Sequence, residues 1–144
     1  MKRPVIHVAL LAVISLVILV ATTYAQFSKQ LLVADIPFNF HVGSANLTAG
    51  TYLVRFAPIP GRALQILNKK NGGVAMVMTH PGPDAKPTDQ GKLVFNRYGA
   101  EHFLSVVRSE DGSLNQQLPM TKVEKEYARS AGTVQTEEVA LEKK

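Results

Sequence analysis

Cysteine is absent from the 144 residues. That absence excludes disulfide staples, thiol catalysis, thiolate metal sites and lipid attachment through an N-terminal cysteine. Basic runs longer than two residues are also absent, although 16 Lys and Arg outnumber 11 Asp and Glu for a net charge of +5. Scattered basic residues lay down no stripe for a phosphate backbone, so nucleic acid is not an expected partner. Catalytic motifs are equally scarce. There is no HxH, no HExxH and no GxSxG; the nearest approach is Val42-Gly43-Ser44, which lacks the second glycine. Beyond the N-terminal segment the histidines are His41, His80 and His102, and no two lie within 20 residues of each other. A zinc site needs three or four ligands converging on one ion. His41 falls on the polar face of its strand beside Asn39 and reads as a solvated side chain. No catalytic residue, metal ligand or cofactor is assigned, and a non-catalytic protein is expected.

What the sequence does contain begins with an export signal. Lys2 and Arg3 precede an apolar run, Val5 to Ala21, broken only by His7 and Ser15. Thr23-Tyr24-Ala25 then supplies small residues at the two positions that define cleavage. These three parts in this order form a secretory signal peptide over residues 1–25, with cleavage expected between Ala25 and Gln26. The run is close to the lower limit of a membrane span, about 17 to 25 residues, so a retained anchor is the rival reading. Membrane association is expected only in that case. Removal of residues 1–25 takes away Lys2 and Arg3 and no acid, which leaves 119 residues and lowers the net charge from +5 to +3. A chain of that size buries about two-thirds of its unfolded surface, enough for a core. The expected location is periplasmic or secreted. Export without disulfides suits a bacterial envelope better than a small eukaryotic secreted domain, which relies on staples.

Period-two alternation dominates the remainder. Leu31, Leu32 and Val33 form a short lead-in. In Ile36 to Val42, Ile36, Phe38, Phe40 and Val42 share one face, while Pro37, which has no N–H to give, marks a strand start or a sheet edge. A connection over 43–50 precedes a strand from Thr51 to Ala57, with Tyr52, Val54 and Phe56 on one side. Ala63 to Asn68 follows with Leu64 and Ile66 inward. Asn71-Gly72 then turns the chain into Val74 to Thr79, where Val74, Met76 and Met78 alternate. Residues 80–91 read as a polar loop. Leu93 to Tyr98 and His102 to Arg108 are two further strands, and Asp111-Gly112 closes another turn. Thr121-Lys122-Val123-Glu124 matches a capping box, and Met120, Val123, Tyr127 and Ala131 recur at helical spacing up to a stop at Gly132. Residues 133–144 are charged and aperiodic and read as a flexible tail. The expected fold is mainly β: an antiparallel sandwich or small barrel of about six strands, with one short C-terminal helix, in a domain covering 26–132.

Two segments carry a resemblance. Ile36-Pro37-Phe38-Asn39-Phe40-His41-Val42-Gly43, running on to Leu47-Thr48-Ala49-Gly50-Thr51-Tyr52-Leu53-Val54, is the first. Leu93-Val94-Phe95-Asn96-Arg97-Tyr98-Gly99 with His102-Phe103-Leu104 is the second. Together they resemble a group of small exported bacterial proteins of unknown function, in which a signal peptide precedes a PFxFxVG…AGxYxV half and an LVFxRYG…FL half. The chain departs from that pattern at Thr48, where proline is usual and would stiffen the turn. The resemblance implies compartment and fold and no mechanism.

One charged residue stands out within a strand. Arg97 aligns with Leu93 and Phe95 on an apolar face and must be paired there or sit at a wet strand end. With Tyr98 it could bind a carboxylate or a planar group; a structural ion pair with Glu101 or Glu124 is the favoured alternative. The function expected is that of an exported, non-catalytic β domain acting through contact with a protein or a cell-envelope component. A membrane-tethered form and an enzyme with an unrecognised site are the alternatives.

Overall fold

Burial alternates residue by residue through most of the chain, and each alternating run is a strand. The computed structural model describes residues 31–57, 62–83 and 89–144. The expected signal peptide and its cleavage site at Ala25 and Gln26 lie outside the described residues. Within them are β1 (Leu32–Ile36), β2 (Phe40–Val42), β3 (Ala45–Leu47), β4 (Gly50–Phe56), β5 (Ala63–Asn68), β6 (Val74–Met78), β7 (His80–Pro81), β8 (Gly91–Tyr98), β9 (Glu101–Arg108), β10 (Asn115–Gln117), α1 (Lys122–Ala131) and β11 (Gln135–Lys143). Among the described residues the fold is mainly β, as the alternation requires, with one short helix and more strands than six.

The main path of the sheet runs β3-β2-β9-β8-β11-β1-β4-β5-β6. Its pairings are antiparallel except for β2 with β9, which are parallel at His41 and Phe103. The sheet then comes back on itself as a barrel. β6 passes through Thr79 straight into β7, β7 pairs with β10, and β10 pairs with β9. Thr79 makes that corner. Its N–H donates to the Arg62 carbonyl at 2.7 Å, and its Oγ1 lies 2.9 Å from Gln116 Oε1 on β10.

The interior is filled by side chains. Phe40 packs edge-to-face on Tyr52 (5.1 Å, 84°) and on Phe95 (5.5 Å, 81°), the geometry that ring quadrupoles favour. Ile36, Val54, Leu64, Ile66, Leu93, Val107, Leu114 and Leu141 are among the buried residues packed around them. The one polar tip among these rings, the Tyr52 hydroxyl, donates to the Thr48 carbonyl at 2.6 Å.

Several details differ from the sequence reading. The strand expected from Ile36 to Val42 is two strands, since Pro37 cannot supply a ladder N–H and the chain breaks over 37–39. Residues 80–91, read wholly as a loop, contain β7, and 43–50 contains β3. The expected flexible tail over 133–144 contains β11, which pairs with β8 from Gln135↔Arg97 to Leu141↔Gly91 and with β1 at Leu32↔Lys143. In β6 the alternation holds, with the smaller set turned inward. Ala75 is buried and Val77 packs on the core, whereas Val74, Met76 and Met78 face outward.

The helix begins and ends where its caps place it. The backbone N–H of Glu124 donates to Thr121 Oγ1 at 3.1 Å, and Gly132 takes the left-handed conformation (φ 68°) that ends the turn. Its orientation departs from the apolar spacing. The buried residue of α1 is Glu124, while Met120, Val123 and Tyr127 are 43%, 50% and 37% exposed.

Candidate functional site

β9 carries polar and aromatic side chains on both of its faces because Glu101, His102 and Phe103 are consecutive. On the inner side, at one mouth of the barrel, His102 pairs across to Arg97 on β8, and Arg97 pairs across to Gln135 on β11. Two residues along β11, Glu137 points to the same face as Val139 and Leu141, and so reaches this mouth. Glu137 Oε2 lies 3.0 Å from His102 Nε2 and 3.8 Å from Arg97 Nη1. The Arg97 Nε–H donates to the Gly99 carbonyl at 2.9 Å. The His102 ring stacks on Phe38 at 3.9 Å and 15°, and Phe38 in turn meets Phe95 edge-on. His102 Nδ1 is buried without a hydrogen-bond partner.

The outer side of the same strands is covered by α1. Glu124 Oε1 accepts from Asn96 Nδ2 at 2.9 Å and from the Tyr98 hydroxyl at 3.4 Å. The second half of the expected capping box is therefore absent, because the carboxylate is turned inward onto β8. Burial, then the Glu124 charge and its hydrogen bond, hold the Tyr98 hydroxyl pKa above its ordinary 10.0. Phe103 packs between Tyr98 and Tyr127, and His41 stacks on Phe103 at 4.4 Å and 13°. His41 Nε2 lies 2.8 Å from Glu101 Oε2. His41 is thus a packed and paired residue, not the solvated side chain that its place on the polar face suggested.

Arg97 and Tyr98 do not form one surface. Arg97 is 44% exposed at the mouth, paired with Glu137 and not with Glu101 or Glu124; Tyr98 is buried beneath the helix on the opposite face. Glu101 serves His41 and Glu124 serves Tyr98. Glu137 was missed, although the two-residue spacing of Glu137, Val139 and Leu141 carries the strand signal. Among the described residues, neither histidine–carboxylate pair is joined by a serine or threonine hydroxyl as a nucleophile-activating pair would be. Among the described residues no group of three or more histidines and carboxylates could hold a metal ion.

A surface concavity of about 490 Å³ lies along β8 and β11, lined by Asp89, Gln90, Lys92, Glu138, Val139 and Ala140. The Lys92–Glu138 ion pair, at 2.8 Å, spans its wall. Among the described residues no helix is long and apolar enough to cross a membrane. Comparisons with protein-family models, curated proteins and solved structures found no match to this chain.

Proposed function

We propose that the protein is an exported, non-catalytic β-barrel domain that acts by contact with another protein or a cell-envelope component, through the apolar flank of α1. The observation that carries this is the exposure of Val123 and Tyr127 on a helix whose buried residue is a glutamate, with Met120 exposed just before its N-cap. Tyr127 keeps one ring face on Phe103, and apolar side chains gathered on one flank and left partly in water mark a contact surface more often than scattered ones do. The barrel interior is occupied by its own rings, so binding on the outside is the economical use of this fold. At 100° per residue, Ser130 and Glu126 border the apolar flank, while Lys122, Lys125 and Arg129 lie on the far side. An acid at the apolar border opposes an anionic lipid surface and favours a protein partner. The N-terminal segment and the two motif halves shared with small exported bacterial proteins support the compartment.

The test is a benzophenone photo-crosslinking side chain placed at Val123 or, as a control, at Lys125, in cells exporting the protein. A recurring crosslinked species at Val123 that is missing at Lys125 is the result expected. Equal crosslinking at both positions, or none at Val123, overturns the proposal.

A further inference from the structure

The burial pattern from Val74 to His80 is unbroken: 74, 76, 78 and 80 are exposed, while 75 and 79 are buried and 77 packs on the core. Thr79, fixed from both sides, carries the alternation from β6 into β7 without a change of phase. Met76, Met78 and His80 therefore stand in one line on the outer face, two thioethers and one imidazole, with Met76 and Met78 52% and 58% exposed. We propose that this Met-x-Met-x-His line binds a soft monovalent cation, Cu(I), with Met78 as the central ligand.

The ligand types decide the metal. Thioether sulfur is a poor ligand for hard cations and selects Cu(I), and imidazole suits copper as well. The cross-strand neighbours supply no carboxylate that would favour a hard divalent ion. Met76 faces Gln65, Met78 faces Ala63 and His80 faces Gln117. Gln65 is itself engaged, accepting from Arg55 Nε at 2.7 Å. Ala63, beside Met78, is buried and offers no donor of its own.

Spacing permits the bond. Side chains two apart on a strand originate about 6.6 Å from each other, given a rise of roughly 3.3 Å per residue. Two ligands at roughly 2.0–2.3 Å from one ion are separated by about 4.5 Å when they lie in line through it. Met78 and either neighbour close that gap by leaning together, which the three rotatable bonds of methionine allow. Neutral thioether and imidazole ligands leave the single positive charge on the ion in place, so exposure to water on one side is an advantage. The proposal is independent of the contact surface on α1.

The experiment uses Ag(I), a redox-inert stand-in for Cu(I), titrated into the purified protein with the methionine methyl and histidine ring resonances followed by NMR. The Met76 and Met78 methyls and the His80 ring are expected to shift together and saturate at one equivalent, with the His41 and His102 rings unmoved. Met78→Leu, which keeps the size and apolarity but removes the sulfur, is expected to weaken binding by about tenfold or more. Leucine at this exposed position leaves the thermal midpoint unchanged, so the loss is separable from unfolding. Absence of Ag(I) binding, shifts confined to His41 or His102, or full binding by the Met76→Leu/Met78→Leu double variant each overturns the proposal. The double variant also distinguishes metal binding from apolar docking, because leucine preserves the latter.

Discussion

The carbonyl oxygen of Leu141 stands 2.8 Å from the place a Cβ on Gly91 would occupy. The Arg108 carbonyl and the Glu110 nitrogen are 3.2 and 3.3 Å from the same point. All three are backbone atoms, so none can rotate aside. The closing strand β11 thus lies against the start of β8 as closely as a chain can, and glycine is what permits it.

Gly91→Ala is therefore expected to destabilise the protein by about 1–3 kcal/mol, the usual cost of forcing a methyl into a packed site. Urea denaturation at neutral pH reads the loss. An unchanged midpoint would mean that β11 does not approach β8 in solution.

Truncation after Gly132 removes β11 and opens the sheet between β8 and β1. Cooperative unfolding should be lost altogether. The milder Leu141→Ala, which empties a core position, should cost about 2–5 kcal/mol. Both are checked by circular dichroism melts, and a truncated chain that melts like the full one would restore the flexible-tail reading of 133–144.

Arg97→Ala is expected to cost less than about 1 kcal/mol, because its partner Glu137 is 3.8 Å away and both side chains are well exposed. The sequence alone pointed the other way, toward a buried pair and a loss of a few kcal/mol. Alternation set Arg97 on the inner face with Leu93 and Phe95; the strand ends at the open mouth, where water is at hand.

The raised pKa of Tyr98 makes stability fall on the alkaline side. Above the ordinary value of 10.0 the unfolded chain releases its phenolic proton while the folded chain retains it. The unfolded state then binds fewer protons than the folded one, and unfolding free energy declines as pH rises from 10 toward the folded pKa. Tyr98→Phe should flatten that part of the decline, as seen in melting temperatures measured from pH 8 to 11. The same alkaline slope in both proteins would place the titration elsewhere.

The helix boundaries, β5 and the hairpin turn at Asn71-Gly72 were legible because caps, glycine and alternation are local signals. β11 was not, since its Glu and Lys residues are poor strand formers in isolation. Its charges are stabilised by partners remote in sequence: Lys92 for Glu138, and His102 with Arg97 for Glu137. The outward phase of β6 was hidden for a different reason. Alternation gives a period but no direction, and the small inward residues Ala75 and Thr79 look less like a core face than Val74, Met76 and Met78. The histidine contacts with Glu101 and Glu137 depend on register between strands, which no local pattern encodes.

The proposed function requires the chain to leave the cytoplasm, and the intact mass of protein recovered from the periplasmic and medium fractions tests this most directly. A single species whose N-terminus is Gln26 is the result expected, from the small residues at Thr23 and Ala25. Protein found only in the cytoplasm, with residues 1–25 intact, would contradict export and with it the proposed function.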